Sequence, residues 1–563
     1  MVREGETTRY LGDILAGVVA ETEKQAREAL DLVDVEYEIL TPVTDPSEAL
    51  SDQSPKIHES GNLLSTTEIQ RGDSKKAKKE SEYITNGTYK TQRIEHAFME
   101  LECCVAKPQE DRIEVFSQGQ GVYEDRSSIS KILGIPLENV VVSLMPNGGA
   151  FGGKEDISVQ GHASLFAHFL QLPVRVALTR PESLLMHPKR HPMSMDISMG
   201  CNKNGKLTFI KADIIGDTGA YASVGMKVLE RAAGHATSVY TIPSVEILSR
   251  AVYTNNVPCG AMRGFGVNQI NFAVESCIDE LCELGGFDRW QIRFDNALKP
   301  GDCTSTGQKI TSGIGIQKTL LAVKEKFQNA KYAGIACGMK NTGIGNGIAD
   351  EGKVKVVIDS PDNVTIHHGW TEMGQGVFTM AVQFLCEATG ISPELISVKV
   401  DTSKEAPAGM TTASRGTSII GNSVLDAGSK IKADLETHSL AELVGREYEG
   451  EWICDWTTSL ASKTEDPQTH YSYSYATQVV TLDDSGQIDT VFAAHDAGRI
   501  INPVLFEGQL EGSVHMGLGY ALSENFEMQE GRPKPVSYTH LRAHETREDL
   551  VCPLRREKKN WGG

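Results

Sequence analysis

Apolar positions near the start of the chain follow first a helical and then a strand period. Thr22 and Gln25 have the spacing of a capping box, which begins a helix. A short apolar run at 18–20 predicts a strand before that helix, and residues 35–39 alternate apolar and acidic side chains, which predicts a strand after it. The predicted helix has one apolar face, formed by Ala26, Ala29, Leu30 and Val33.

The chain becomes polar between residues 44 and 82. Its most charged part is the lysine-rich run 74–80. A run of this kind without an apolar period is typical of a solvated segment. We therefore expect residues 44–82 to form a linker.

A strand–loop–helix–strand unit follows further along. Residues 139–144 are β-branched and predict a strand, and residues 157–170 have a helical apolar face. Pro173 ends the helix, and 174–178 predict a second strand. The loop between the first strand and the helix, residues 146–155, is rich in glycine.

Composition narrows the class of protein. The chain has 563 residues with 40% hydrophobic side chains, enough for three or four folded domains. Its net charge of −20 disfavours nucleic acid and anionic membrane surfaces as partners. No apolar run is long enough for a transmembrane helix, and the start lacks the apolar core of a signal peptide. We expect a cytoplasmic protein.

The 11 cysteines are scattered, with no CxxC pair or spacing that suits zinc or an iron–sulfur cluster. Histidines also offer little for a metal. His187 and His191 are separated by Pro188, and the adjacent His367 and His368 would point to opposite faces of a strand. We expect no metal held by side chains.

The loop at 148–155 comes close to a phosphate-binding P-loop. It has the Gly-x-x-x-x-Gly-Lys spacing, but Glu155 stands where a P-loop has a serine or threonine for magnesium. A carboxylate there would repel phosphate. The glycines of this loop still predict a backbone that can approach a large ligand closely.

Further loops share this character. Arg263 and Phe265 stand among glycines at 258–266, Gln375 lies between two glycines, and small residues fill 411–417. Gln509 is followed closely by another glycine. Together these loops predict a long polar cofactor bound mainly by backbone and amide groups.

Glu230 and Arg231 stand in an apolar context. One interpretation is an ion pair at the surface, at the start of a helix. The other is a charged pair inside a binding site.

In this order, the loops resemble the molybdenum-cofactor-binding subunit of the xanthine dehydrogenase and aldehyde oxidase family. The resemblance runs from the start to about residue 535. The matching blocks are Gly-Gly-Ala-Phe-Gly-Gly-Lys-Glu at 148–155, Glu-Arg-Ala at 230–232, Ala-Met-Arg-Gly-Phe-Gly at 261–266, Thr-Glu-Met-Gly-Gln-Gly at 371–376 and Gly-Gln-Leu-Glu-Gly at 508–512.

The resemblance implies an α+β fold. Residues 1–75 would hold part of an α/β hammerhead domain and the linker, and 76–330 would form the first large molybdopterin-binding domain. Residues 331–535 would form the second, incomplete one. The basic stretch 536–563 resembles a translated sequencing adaptor, and we expect it to be non-native.

The resemblance also implies molybdenum bound by a pterin, in bacterial relatives often as the cytosine dinucleotide form. The metal would have no protein ligand, and the residues matched to positions beside it are Phe151, Arg263 and Ala413. Residues matched to positions that contact the pterin are Gln375, Ser414 and Gln509. Gly149, Gly152 and Met373 lie in the same matched loops and are expected to contribute to cofactor binding.

The implied reaction is hydroxylation of an electron-poor carbon with water. Glu155 and Arg231 match a pair that binds the heterocycle in purine-oxidising relatives, and Phe265 matches a stacking aromatic. These matches favour xanthine, hypoxanthine or a related N-heterocycle over an aldehyde. Electrons would leave through 2Fe-2S clusters and FAD on partner subunits, in a dimer of heterotrimers.

Three departures accompany the resemblance. The family's catalytic glutamate, in a Gly-x-Gly-Glu block, has no match, so we expect the chain as written to be inactive or nearly so. The chain also starts inside the hammerhead domain. A family glutamine beside the metal is replaced by Ile94, and Gln92 nearby is not assigned its role.

Three alternatives stay open. The first is an aldehyde oxidoreductase of the same family. The second is a non-catalytic cofactor-binding protein. The third is a nucleotide-binding protein that uses the near-P-loop.

Overall fold

A computed structural model of the chain describes residues 2–462 and 464–534. The tail 536–563, expected to be non-native, lies outside the described residues. Helices of the first half are α1 (Glu23–Leu30), α2 (Pro46–Ala49), α3 (Ser74–Glu80), α4 (Val122–Leu133), α5 (Val159–Leu170), α6 (Arg180–Met186), α7 (Gly225–Gly234), α8 (Val267–Gly285) and α9 (Arg289–Asn296). Its strands are β1 (Leu63–Arg71), β2 (Tyr83–Thr91), β3 (Cys103–Gln109), β4 (Arg112–Ser117), β5 (Val140–Leu144), β6 (Val174–Ala177), β7 (Met193–Cys201), β8 (Leu207–Gly219) and β9 (Ser244–Tyr253).

The second half continues the numbering. Its helices are α10 (Ile316–Gln328), α11 (Val377–Thr389), α12 (Gly416–Leu435) and α13 (Pro503–Leu522). Its strands are β10 (Ala333–Thr342), β11 (Asp350–Ser360), β12 (Asn363–His368), β13 (Ile396–Lys399), β14 (Glu447–Cys454), β15 (Ser472–Leu482), β16 (Ile488–Asp496), β17 (Met528–Gln529) and β18 (Arg532–Pro533).

The first half contains two sheets. The larger has the order β1-β9-β8-β7-β2, with β8 and β9 parallel and the other pairs antiparallel. In β7, Met193, Met195 and Ile197 point into the core while polar residues alternate between them, which is the period of a strand buried on one face. The smaller sheet, β5-β4-β3-β6, packs against α4 and α5.

The second half also contains two main sheets. The sheet β13-β12-β11-β14 buries its apolar face under α11 and α12. The sheet β10-β15-β16 contributes Ile335, Cys337 and Val479 to the core of the large first-half sheet. One hydrophobic core of the protein therefore contains residues of both halves. The mixed α+β class is confirmed.

Several local predictions are confirmed. Helix α1 begins at the predicted capping box, the strand at 139–144 is β5, and the helix at 157–170 is α5. The strand at 174–178 is β6. The apolar face predicted for α1 is not buried.

Other local predictions are wrong. Residues 18–20 and 35–39 form no strand, because no neighbouring strand pairs with them and an isolated strand is not stable in water. The predicted linker contains β1, an edge strand of the large sheet, and the charged run 74–80 is helix α3, capped by Asp73. Its lysines stay in solvent while the helix packs beside β8 and β9. The domain boundaries themselves stay predictions.

Candidate cofactor and substrate site

The glycine-rich loop 148–155 lies against the loop 261–266. Gly152 has φ +107°, and a Cβ atom there would lie 2.7 Å from the Ala261 carbonyl oxygen. The backbone N–H of Arg263 donates to the Phe151 carbonyl at 2.9 Å. Only glycine allows both the left-handed backbone and this close approach. The position of Gly152 therefore fixes how the two loops meet.

Lys154 does not point outward as the lysine of a P-loop does. Its Nζ donates to the Glu100 carbonyl at 2.7 Å and to Asn147 Oδ1 at 2.8 Å, and it lies 4.5 Å from the Phe98 ring centroid. The side chain is buried, and burial lowers the pKa of Lys154 to about 8. These contacts do not support the nucleotide-binding alternative.

Gln120 joins the first loop to the loop at 411–417. Its Oε1 accepts from the backbone N–H of Gly152 at 3.1 Å and of Lys154 at 3.2 Å, and its Nε2 donates to the Thr411 carbonyl at 2.9 Å. Its backbone bonds to the same two partners, Lys154 and Thr411. Sequence reasoning missed this residue, although it stands between Gly119 and Gly121 as Gln375 does between its glycines.

The loop 371–376 is attached to the same frame. The N–H of Thr371 donates to Thr411 Oγ1 at 2.9 Å. Both ends of the Gln375 amide bond within their own loop, to the Met373 N–H at 2.7 Å and the Thr371 carbonyl at 2.7 Å. In this arrangement Gln375 shapes the loop. Its direct contact with a cofactor stays a prediction.

Arg263 extends from its loop to α13. Its Nη2 donates to the backbone carbonyl of Gln509 at 2.7 Å and to the side-chain Oε1 of Gln509 at 2.9 Å. A Cβ atom on Gly512 would lie 3.3 Å from Arg263 Nη1. The predicted pair Arg263 and Gln509 is thus in direct contact.

Four of the residues singled out from the sequence have a left-handed backbone although they are not glycine. They are Phe151 (φ 55°), Phe265 (φ 51°), Ala413 (φ 59°) and Ser414 (φ 51°). Each such residue costs free energy and persists only where its surroundings impose it. These four are among twelve non-glycine residues with this backbone in the described part of the chain.

Glu155 lies at the end of the first loop, where its carboxyl bonds to the Thr412 side chain. Burial, with a smaller contribution from the negative charge of Asp156, raises the pKa of Glu155 to about 8. The group is protonated near neutral pH and can donate a hydrogen bond.

Arg231 lies in the last turn of α7 and is only 5% exposed, so the interpretation as a surface ion pair at a helix start is wrong. Its Nη2 donates to the Ile344 carbonyl at 2.7 Å, and its Nη1 donates to His470 Nε2. Glu230 turns away from it and pairs with Lys227 at 3.1 Å. Desolvation lowers the pKa of Arg231.

A short path of contacts connects Glu155 with Arg231. Thr412 bonds to Glu155, the carbonyl of its neighbour Ala413 accepts from the Gly343 N–H at 3.0 Å, and the carbonyl of Ile344 accepts from Arg231. Phe265 is next to Gly266, which packs against the α7 backbone. The predicted site residues thus lie on loops and on the helices α7 and α13, and hydrogen bonds connect these parts.

A buried ionic cluster lies behind the loops. His187 Nε2 lies 2.6 Å from Glu95 Oε1 and His187 Nδ1 lies 3.0 Å from Glu102 Oε1, while Lys189 Nζ lies 2.8 Å from Glu95 Oε2. Burial raises the pKa of Glu95, but His187 and Lys189 outweigh it and hold that pKa well below its usual range. His96 Nε2 bonds to the Ala261 carbonyl at 2.7 Å, which supports the loop 261–266.

Glu95, His96 and His187 are close enough to share a metal ion. Lys189 and Glu102 already satisfy the carboxylate and the imidazole, so the arrangement is that of a buried ion-pair network. Gln92 also has a structural position, since its Nε2 donates to the Tyr520 carbonyl at 2.6 Å and the Glu524 carbonyl at 2.8 Å.

The loops suit a long polar cofactor. Nothing lies within 4 Å of a Cβ built on Gly374 or Gly508, and Phe151 is 39% exposed. Both hydrogen-bond acceptors of Arg263 are uncharged, and burial lowers its pKa, so an anionic group beside it would be favourable. The donors and the open glycine backbone therefore fit a pterin with a phosphate tail.

Two further features concern the cysteines and the length of the helices. The ten cysteines described are all free thiols. No helix within 2–462 and 464–534 is long and apolar enough to cross a membrane.

Comparison with known proteins identifies the family. The description "Molybdopterin cofactor-binding domain" applies to two matches, at residues 57–297 and 314–542. A probable xanthine dehydrogenase subunit of Bacillus subtilis is 32% identical over 579 residues, covering 95% of this chain and 78% of that protein. The "Nicotinate dehydrogenase large molybdopterin subunit" of Eubacterium barkeri is 36% identical over 322 residues, covering 57% of this chain and 76% of that subunit.

A solved structure supports the same assignment. The aldehyde oxidoreductase of Desulfovibrio gigas superimposes with a TM-score of 0.84 at 25% identity, covering 90% of this chain. This chain spans 60% of the length of that one. The chain belongs to the xanthine dehydrogenase and aldehyde oxidase family of molybdenum hydroxylases.

Proposed function

We propose that this chain holds a molybdenum–molybdopterin cofactor and is the catalytic part of an oxidoreductase that hydroxylates an N-heterocycle with oxygen from water. A purine such as xanthine or hypoxanthine is the first substrate to test. The cytosine dinucleotide form of the cofactor is the first cofactor form to test. Partner subunits would carry 2Fe-2S clusters and FAD. The observation that best supports this proposal is the path of contacts that joins Glu155 to Arg231 through Thr412, Ala413 and the loop at 343–344.

The cofactor would be held mainly by backbone. The open space beside Gly374 allows close approach to the backbone, and Arg263 with Gln509 offers a cation and an amide at one side. When bound, the cofactor supplies a redox centre that takes up two electrons. Ala413 and Ser414 have left-handed backbones, and the Ala413 carbonyl is held by the Gly343 N–H at 3.0 Å.

The substrate would be held by side chains. Glu155, protonated near neutral pH, donates a hydrogen bond to a ring nitrogen or oxygen, and Arg231 presents a fixed positive charge to negative charge that develops on the ring. Phe265, half-buried beside α7, offers a face for stacking. An aldehyde such as benzaldehyde has no ring nitrogen or ring oxygen for such a pair, so the pair favours a heterocycle.

The test is carried out on the full chain produced with its partner subunits. We expect molybdenum in the purified complex and ¹⁸O from labelled water in the hydroxylated hypoxanthine, which a chain without the catalytic glutamate should form only slowly. E155A should lower kcat/KM for hypoxanthine about 100-fold, as removal of a preorganised donor does elsewhere. Oxidation of benzaldehyde should change far less, and E436A, an exposed glutamate, should change neither.

Two outcomes contradict the proposal. A complex that contains no molybdenum would favour a protein with a different cofactor. A complex that oxidises benzaldehyde but not hypoxanthine, with E155A unchanged, would favour the aldehyde oxidoreductase alternative. The expectation that the chain as written lacks the catalytic glutamate stays a prediction, because the segment that bears on it lies outside the described residues.

A further inference from the structure

Four basic side chains lie together at the Arg231 end of the site. His235 and His470 are each 2% exposed, and their ring centroids are 6.1 Å apart. Burial lowers the pKa of both histidines. The charges of Arg231 and of Lys340, near the end of β10, lower both pKa values further. We call Arg231, His235, Lys340 and His470 the basic cluster.

The carboxylates near the basic cluster are engaged elsewhere. Glu230 bonds to Lys227 at 3.1 Å and accepts from Asn346 at 2.6 Å. Asp350 pairs with Arg415 at 2.7 Å and accepts from the Ile344 N–H at 2.9 Å. Within residues 2–462 and 464–534, no carboxylate forms an ion pair with a member of the cluster.

The hydrogen bonds inside the cluster go to uncharged groups. Since Arg231 donates to His470 Nε2, the proton of the neutral His470 ring lies on Nδ1, which is 3.2 Å from the Tyr473 hydroxyl. Lys340 Nζ donates to Asn341 Oδ1 at 2.6 Å and to the Asn341 carbonyl at 3.2 Å. The positive charge of the cluster is therefore not neutralised by direct contact.

His235 leaves one atom unused. Its Nδ1 lies 3.1 Å from the Arg231 carbonyl, and its Nε2 is buried without a hydrogen-bond partner in the described part of the chain. A buried polar atom without a partner costs free energy unless a ligand or water completes it. The His235 ring lies beside the His470 ring in the same cluster.

Desolvation acts on the cluster as a whole. Burial, followed by the charge of Arg231, holds the pKa of Lys340 well below its usual range. A bound anion would reverse this effect, because it stabilises the protonated form of each neighbour. An anion also gains charge-assisted hydrogen bonds that a neutral ligand of the same shape does not.

The cluster lies one loop away from the residues matched to the cofactor. Ile344 accepts from Arg231, and its neighbour Gly343 donates to Ala413. A planar ring bound between Phe265 and this loop would reach the cluster with one edge.

We propose that the basic cluster makes the site selective for an N-heterocycle that binds as an anion, through a ring carboxylate or an ionised ring oxygen or nitrogen. This inference rests on the proposed function and narrows its substrate class. Lys340, His235 and His470 are specificity-determining residues in this arrangement. Arg231 alone would not distinguish an anion from a neutral carbonyl so strongly.

The experiment compares ligands of similar shape that differ in charge. Calorimetric titration of the full complex with nicotinate and nicotinamide tests the carboxylate, and titration with xanthine below and above its first ionisation tests the ionised ring. We expect the anion of at least one pair to bind 10-fold to 100-fold tighter, as charge-assisted hydrogen bonds predict. The preference should weaken as salt increases.

Variants then locate the preference. K340M and H470Q should each reduce the anion preference to threefold or less, whereas K331M, which removes an exposed lysine paired with Asp484, should keep it. If K340M or H470Q does not fold, the wild-type ligand pairs and their salt dependence still decide the inference.

Preference for nicotinate assigns a ring carboxylate, and preference for ionised xanthine assigns an ionised ring. Equal affinities in both pairs, or no binding of any of the ligands, overturn the inference. The proposed function is judged separately, by molybdenum content and by hydroxylation of neutral hypoxanthine. A complex that contains molybdenum and hydroxylates hypoxanthine without any anion preference keeps the proposed function and loses the inference.

Discussion

Replacing Gln120 by leucine tests whether one side chain holds the loops of the site together. Gln120 is 2% exposed, and its amide makes three hydrogen bonds, to the N–H groups of Gly152 and Lys154 and to the carbonyl of Thr411. A buried hydrogen bond contributes about 1 kcal/mol net, so their loss should cost about 3 kcal/mol. That free energy corresponds to roughly a 100-fold change in a local opening equilibrium.

Hydrogen–deuterium exchange read by mass spectrometry measures this opening directly, without any activity. We expect the amides of Gly152, Lys154 and Thr411 to exchange about 100-fold faster in Q120L, while the core strand β8 keeps its protection. Q291L is the matched control, because Gln291 is exposed and makes one side-chain hydrogen bond, at 2.9 Å. Exchange at the two loops within threefold of wild type in Q120L would refute the reasoning.

Three further predictions concern individual residues. G152A should destabilise the protein by about 3 kcal/mol in denaturant titration, because the φ of +107° and the Ala261 carbonyl both oppose a Cβ atom. The control G486A, where φ is +81° and the space is open, should cost about 1 kcal/mol, and equal costs would argue against the clash. The pKa of Glu155 is raised to about 8 in the folded state, so the wild-type protein loses stability as pH rises from about 5 to 8. E155Q should gain stability relative to wild type over the same pH range. A difference in melting temperature that does not change with pH would contradict this prediction. H187Q removes the imidazole that contacts two buried carboxylates, Glu95 and Glu102, and should cost about 3–5 kcal/mol. The variant H438Q, at an exposed position, should cost less than about 0.5 kcal/mol, and equal unfolding midpoints would be the contrary result.

Local patterns were sufficient for elements that depend on nearby residues. Helix α1 and its capping box, β5 and α5 follow from spacing within a few positions. The strand expected at 35–39 did not form, because a strand needs a partner and its own alternation cannot supply one. The lysine-rich run 74–80 became α3, since Asp73 caps it and nearby strands support it.

The loops of the site could be predicted because each contains its own signal of glycines around a polar residue. Gln120 carried the same signal and was missed. His470 carried none, since it meets Arg231 across 239 positions of sequence and only the packing of both halves brings them together. A residue that acts on a site only through another side chain cannot be identified from a single sequence.

The hydrogen bonds of Gln120 also constrain how such proteins can be recombined. One partner, Gly152, lies in the first cofactor-binding domain, and the other, Thr411, lies in the second. A chimaera that takes the two domains from different parents inherits the glutamine from one and its acceptor loop from the other. Designers who exchange domains to change substrate preference should therefore transfer residues 119–121 and 409–417 as one unit, and place their crossover points elsewhere.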